Sequence, residues 1–168
     1  AMGGQTLNPY GRKKFDSGGS SSGSGVAISA NFSSVSLGSE TSGSILSPSS
    51  ANSIVGLKPT IGLVSRSGIV PISSTLDTSG PMTKNVIDNA IVLKAISGFD
   101  QDDTFSVKKN NIDLESIINS SLKGKRFGVF NDFLDDSLYS NAIKKIEKLG
   151  GIITVSYTHL RAHETHID

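Results

Sequence analysis

The sequence contains no cysteine, and its only histidines are His159, His163 and His166. The absence of cysteine excludes disulfides, thiol nucleophiles and cysteine-ligated metal sites. Because residues 1–158 contain no histidine, a Ser–His–Asp hydrolase is excluded unless the carboxyl-terminal tail folds back to supply the base. A serine nucleophile in this chain therefore needs another base, and lysine is the usual alternative.

The chain also has little net charge and no long apolar run. The 16 basic and 15 acidic residues nearly cancel, so no basic field draws the chain to nucleic acid or to anionic lipid. No apolar stretch reaches the roughly 18 residues that span a bilayer. We therefore expect no nucleic-acid partner and no membrane partner. The oligomeric state and the compartment stay open, with the cytoplasm as the default.

Serine, by contrast, is abundant in one region. Between Ser17 and Ser50, 15 of 34 residues are serine, a composition that flexible linkers also have. The same region carries apolar residues from Val26 to Leu46, which a flexible linker lacks, so this region is predicted to pack. Serines that pack beside glycines at fixed spacing indicate amides and hydroxyls converging on one point, as in acyl-transfer sites.

Five blocks in this part of the chain resemble, in order and spacing, the amidase signature family. Members of that family hydrolyse amides with a Ser–cis-Ser–Lys triad, and the resemblance extends over residues 18–103. The blocks read GGSSSGSG (18–25), GSETSGSILSPSS (38–50), VGLKPT (55–60), GLVSRSGIVP (62–71) and LDTSGPM (76–82).

The resemblance implies roles for residues in the first two blocks. Ser44 matches the nucleophile, and Ser20 matches the cis-serine that relays a proton between the nucleophile and a neutral lysine. The backbone N–H groups of Thr41, Ser42 and Gly43, together with that of Ser44, are expected to form the oxyanion hole. The peptide bond entering Ser20 is expected to be cis, and the Ser20 and Ser44 hydroxyls to lie within hydrogen-bond reach. No cofactor and no metal is implied.

Three residues depart from the commonest form of the family's motif. Glu40 stands where most members have Asp, Ser42 replaces a glycine, and Leu46 replaces an arginine. The glutamate and the missing arginine resemble the peptide-amidase branch, which implies a small-molecule or peptide amide as substrate. The main alternative is a protein similar to the A subunit of glutamyl-tRNA amidotransferases, which usually keeps the Asp, the glycine and the Arg.

We expect structural roles for three charged residues: Glu40, Arg66 and Asp77. We expect Glu40 to accept hydrogen bonds from neighbouring loop amides, with substrate positioning as the alternative. Arg66 and Asp77 are expected to hold loop backbone rather than contact substrate.

The triad's lysine has no match in this sequence. In the family it lies several dozen residues before the cis-serine, whereas Lys13 and Lys14 are too close to Ser20, and Lys58 belongs to a Gly-Leu-Lys-Pro motif where a structural role is expected. The chain is therefore expected to be an internal fragment of a longer amidase, with a non-catalytic fragment as a further alternative. A phosphate-binding Gly/Ser loop is disfavoured because no G-x-x-x-x-G-K-[ST] is present.

The pattern of the chain predicts the α/β class. The resemblance implies a partial amidase-signature fold, with a mixed sheet core flanked by helices and incomplete at both ends. Helices are predicted over 23–30, 86–97 and 140–149, and strands over 35–37, 55–57, 69–70, 126–130 and 152–155. Asn31 is predicted to cap the first helix in a left-handed conformation, and Thr83 to cap the second. The last three elements predict a β-α-β unit with parallel strands.

Residues 1–155 are expected to form one partial domain, and residues 156–168 a non-native or disordered tail. The string from Tyr157 to His166 resembles translated sequencing-adapter sequence. Its His-Glu-Thr-His run (163–166) also lacks the spacing of an HExxH zinc helix.

We predict that the 168-residue chain alone does not hydrolyse amides. Ser44 would lack a base, and an unassisted serine hydroxyl is a poor nucleophile at neutral pH; general-base assistance is worth about 10²–10⁴-fold. The check is an amide-hydrolysis assay of the purified chain beside a full-length relative. Ser44-dependent turnover by the chain alone would mean that a base within these residues replaces the lysine.

Overall fold

A computed structural model describes residues 3–108 and 112–156. It contains helices and both kinds of strand pairing, which confirms the α/β class. The chain divides into two compact units, with the boundary between Ile118 and Asn119. Within the described residues, no helix is long and apolar enough to cross a membrane.

A three-stranded antiparallel sheet forms the centre of the first unit. Its strands are β1 (Val35–Glu40), β2 (Val55–Gly56) and β3 (Thr78–Thr83), in the order β1-β3-β2. The central strand β3 is buried at every residue. Its small side chains allow close packing, and Met82 with Ile28 and Ile45 supplies fully buried apolar side chains.

Four helices accompany this sheet: α1 (Ser22–Ser29), α2 (Leu46–Ala51), α3 (Val86–Ile96) and α4 (Leu114–Ile118). α3 packs on β3 through its buried face, which includes Ala90 and Leu93. α2 begins directly after the loop that leaves β1, so the sheet and α2 together fix both ends of that loop.

Serine side chains cover the outer edge of β1, where another strand would otherwise pair. The Ser24 hydroxyl donates to the Leu37 carbonyl at 2.7 Å. The Ser21 hydroxyl donates to the Ser39 carbonyl at 3.2 Å and accepts from the Ser39 amide at 3.2 Å. Edge groups of a strand need such partners. These bonds also attach the start of α1 to the strand that leads to the candidate site.

The second unit is a β-α-β arrangement, as predicted. β4 (Arg126–Phe130) and β5 (Ile152–Ser156) pair in parallel, and α5 (Ser137–Lys148) connects them. α5 begins three residues before the predicted start because the Asp136 carboxylate accepts from the amides of Leu138 and Tyr139 at 2.8 Å each. This is a standard helix N-cap.

Two predictions about the first unit need correction, and one of its strands was not predicted. The predicted strand at 69–70 is absent from the described residues, because the Ile69 amide bonds to the Arg66 carbonyl in a turn. Thr83 does not cap α3: it ends β3, and the cap is Asn85, whose side chain accepts from the Asp88 amide at 2.9 Å. β3 itself was not predicted.

The other predicted elements are present: the strand at 126–130 has the predicted ends, and the others differ at one or both ends by one to three residues. Asn31 has φ 61°, which confirms the left-handed residue after α1. Antiparallel and parallel pairing both occur among the described residues, in a three-stranded and a two-stranded sheet respectively. The domain prediction for 1–155 stays a prediction, and residues 157–168 of the predicted tail lie outside the described residues.

We predict opposite effects of the same substitution at two glycines of the first unit. A Cβ at Gly80 in β3 would lie 2.1 Å from the Leu57 carbonyl oxygen, whereas a Cβ at Gly23 in α1 meets nothing within 4 Å. Gly80→Ala should lower the free energy of unfolding by about 1–3 kcal/mol, the usual cost of overpacking. Gly23→Ala should leave it unchanged or raise it by up to about 1 kcal/mol.

Urea unfolding of the two variants beside the parent protein measures both effects. Equal stability of Gly80→Ala and the parent would contradict the close approach of the Leu57 carbonyl to β3.

Candidate active site

The loop from Glu40 to Ile45 connects β1 to α2 and carries most of the predicted site residues. Glu40 is buried, with 3% of its surface exposed. Its Oε2 atom accepts from the Ile45 amide at 2.7 Å and from the Leu46 amide at 2.9 Å. The loop therefore folds over the carboxylate of its own first residue, which confirms the expectation that Glu40 holds loop amides.

The electrostatics of Glu40 favour its charged form. Burial raises the pKa of the carboxyl, but the amides of Leu46, Ile45 and Gly43 and the charge of Lys58 outweigh burial and lower the pKa below its ordinary value. Hydrogen bonds to a carboxylate stabilise its ionised form in this way. The two amides that donate hydrogen bonds to Glu40 are those of Ile45 and Leu46.

Thr41 is fixed from two sides. Its hydroxyl donates to Asp77 Oδ1, and its carbonyl accepts from Lys58 Nζ at 2.7 Å. Lys58 thus has the structural role expected from its motif. Each contact restricts one end of the Thr41 residue, so the peptide plane that leads into Ser42 has little freedom.

The segment containing Ser20 lies against this loop. The Gly19–Ser20 peptide bond is cis, as predicted. The Ser21 amide donates to the Ser44 carbonyl at 3.1 Å. Gly18 has φ 66°, and a Cβ there would lie 2.7 Å from the Pro48 backbone, so only glycine allows this approach to α2.

Ser20 and Ser44 line one small pocket together with Thr41. Within residues 3–108 and 112–156, no hydrogen bond joins the two hydroxyls, so their direct proton relay stays a prediction. Across the same residues, the amides of Thr41, Ser42 and Ser44 donate to no protein acceptor. Amides without an internal acceptor are available to a substrate oxygen.

One wall of the pocket was not predicted. It consists of Ile69, Val70 and Ile72. The backbone of this wall is held by Asp77, whose Oδ2 accepts from the amides of Ile72 and Ser73 at 2.7 and 2.8 Å. The hydrogen bond from the Thr41 hydroxyl makes the largest of several contributions that lower the pKa of Asp77. The apolar run around Pro71 is the sequence signal for this wall, but that run predicts a strand.

Arg66 has the structural role that was expected. Its guanidinium lies 2.8 Å from Asp103 Oδ1 and donates to Oδ2 at 3.1 Å. This paired arrangement holds the pKa of the Asp103 carboxyl well below its usual range. The Arg66 guanidinium also lies 4.2 Å from the centre of the Phe105 ring.

The described residues that line this pocket include two carboxylates, Glu40 and Asp77, whose oxygens accept hydrogen bonds from the loops around it. No lysine is among its described lining residues. No group of three His, Asp or Glu side chains that could hold a metal occurs in the same part of the chain. A Ser–Ser–Lys triad here would need its lysine from residues that the structure does not describe.

Comparison with known proteins gives a consistent result. The family model described as Amidase matches residues 1–165. The A subunit of the glutamyl-tRNA(Gln) amidotransferase of Macrococcus caseolyticus is 43% identical over 156 residues, which are 89% of this chain and 32% of that protein.

Solved structures are similar in the same way. The peptide amidase of Stenotrophomonas maltophilia superposes with a TM-score of 0.84 at 41% identity, covering 92% of this chain and 33% of that one. The A subunit of the Thermotoga maritima glutamyl-tRNA(Gln) amidotransferase gives 0.83 at 38% identity, covering 90% and 35%. The chain thus spans about a third of the length of these relatives.

We predict that Glu40→Gln destabilises the protein at neutral pH and less so in acid. The folded pKa of Glu40 is lowered, so its charge stabilises the fold above the unfolded pKa, and this contribution is lost as the pH falls through the folded value. At pH 7 the loss should be about 1.5–3 kcal/mol, because hydrogen bonds to a charged acceptor are removed.

Urea unfolding at pH 7 and at descending pH values measures this effect. Glu147→Gln is the matched control, because Glu147 lies exposed on α5 and should change stability by less than about 0.5 kcal/mol. A Glu40→Gln deficit that does not shrink in acid would contradict the role of the charge.

Proposed function

Because this chain belongs to the amidase family, we propose that the protein containing it hydrolyses linear amides with Ser44 as the nucleophile. The observation that carries the proposal is the meeting of three features at one pocket. These are the Ser44 side chain, the Ser20 side chain, and a loop with amides free of internal acceptors.

In the proposed reaction, the Ser44 oxygen attacks the amide carbonyl as its proton passes to Ser20. Ser20 passes its own proton to a base, for which a lysine outside the described residues is proposed. The tetrahedral intermediate then collapses, the C–N bond breaks, and the departing amine takes a proton by the reverse route. Water hydrolyses the resulting ester of Ser44 and restores the hydroxyl.

The oxyanion of this intermediate is assigned to the loop amides. Thr41 and Ser42, with Ser44 itself, offer N–H groups in a segment fixed by Lys58 and Asp77. Gly43 is the fourth expected donor. A preorganised donor of this kind contributes about 3–4 kcal/mol to the transition state. A fixed loop supports this assignment because donors that are already oriented need no reorganisation during the reaction.

A second candidate is the A subunit of a glutamyl-tRNA(Gln) amidotransferase, supported by the 43% identity to one such protein. The proposed chemistry at Ser44 would be the same, but the protein would work in an assembly. Glu40, Ser42 and Leu46 are the residues that set this chain apart from the usual motif of those proteins. Hydrolysis of a carboxyl-terminal peptide amide by the purified full-length protein, with no other protein present, would favour the first candidate.

We predict that Ser44→Ala in the full-length protein lowers kcat/KM for amides by at least about 10³-fold, because the bond-forming oxygen is lost. Ser20→Ala should lower it by about 10²–10⁴-fold, the usual contribution of a proton-transfer group. Ser50→Ala is the matched control, because Ser50 is an exposed serine of the same block, and it should retain activity.

Labelling with a phosphonofluoridate measures the nucleophile directly. The label should appear on Ser44 in the parent protein and be absent from Ser44→Ala. Full activity of Ser44→Ala, or a label placed on another serine, would refute the assignment.

A further inference from the structure

Two apolar side chains of the pocket wall, Val70 and Ile72, are exposed, whereas Ile69 is half-buried. Val70 is 86% exposed and Ile72 is 80% exposed. Both nevertheless line the pocket of Ser20 and Ser44. An apolar side chain contributes little to stability when it stays in water, whereas it contributes binding energy when a ligand covers it.

The wall is held in position independently of any ligand. Asp77 accepts from the amides of Ile72 and Ser73 with one carboxylate oxygen. Its other oxygen accepts from the Thr41 hydroxyl. One side chain therefore fixes the apolar wall relative to the loop of the candidate oxyanion donors. A preformed surface of this kind binds without a cost of ordering.

The apolar surface continues beyond the pocket. Ile69 and Asp77 also line a neighbouring cavity, together with Pro71 and Phe105. The Arg66 guanidinium that lines this cavity is paired with Asp103, and the exposed Asp102 lies at the cavity's lining as well. An elongated apolar group that begins at Ser44 could thus extend across Ile69.

We propose that Ile69, Val70 and Ile72 bind an apolar group of the amide substrate beside its reacting carbonyl. The inference rests on the proposed function of Ser44 and adds its substrate class: amides carrying an aliphatic or aromatic group, in preference to short polar ones. The apolar group belongs either to the acyl part or to the leaving amine.

The test uses the full-length protein and three amides: acetamide, hexanamide and N-hexylacetamide. Hexanamide extends the acyl part, and N-hexylacetamide extends the amine. The double variant Val70→Ser/Ile72→Ser removes the apolar surface at two exposed positions. Phe32→Ser is the matched control, because Phe32 is 83% exposed and lines a different cavity.

We expect the parent to prefer one hexyl amide over acetamide, and the double variant to lose roughly 10-fold or more of that preference in kcat/KM. Acetamide hydrolysis by the double variant and the preference of Phe32→Ser should stay unchanged. The hexyl amide that loses its advantage shows whether the acyl part or the amine lies on the wall.

Two results would overturn the inference alone while Ser44-dependent hydrolysis persists. One is an unchanged preference in the double variant. The other is an equal loss on all three amides with a lowered Tm, which would show that the wall packs inside the full-length protein. If no amide is hydrolysed in a Ser44-dependent way, the proposed function fails and the inference with it.

Discussion

The buried Glu40 carboxylate organises the loop on which the candidate site depends. A buried charge is costly unless hydrogen bonds or an opposite charge compensate it, and here backbone amides and Lys58 do so. The same amides need the carboxylate, because they stand at the unpaired start of α2. Each side therefore requires the other. Thr41, the next residue of the loop, donates its hydroxyl to Asp77, and Asp77 accepts from the Ile72 amide of the apolar wall. The loop and the wall are thus fixed relative to each other.

The two candidate serines come from separate segments that buried side-chain amides hold together. Asn52, at the end of α2, donates to the carbonyls of Ser17 and Pro48 at 2.8 Å each. Asn8 donates to the Ala51 carbonyl at 2.7 Å and to that of Asp16 at 2.9 Å. These bonds attach the segment before Ser20 to the helix after Ser44. The pocket geometry is thus determined by polar groups more than by a large apolar core.

The elements that could be predicted from the sequence are those whose signal lies within one short segment of the chain. The apolar spacing of 86–97 and the strand–helix–strand pattern of 126–155 gave α3 and the second unit with shifted ends. β3 was missed because Thr-Ser-Gly-Pro-Met-Thr contains glycine and proline, which argue against a central strand. The resemblance named Ser20 and Ser44, but the wall at 69–72 was missed because its apolar run predicts a strand, whereas Asp77 holds the backbone of Ile72 in a loop.

The serine-covered edge of β1 determines how the sheet can grow. With the Leu37 and Ser39 edge groups already bonded to Ser24 and Ser21, an added strand finds few free donors or acceptors on that side. The opposite edge is β2, which is only two residues long. Pairing of a further strand with β1 is therefore disfavoured. The serine side chains thus protect β1, the strand that leads to the pocket, from pairing with a strand of another molecule.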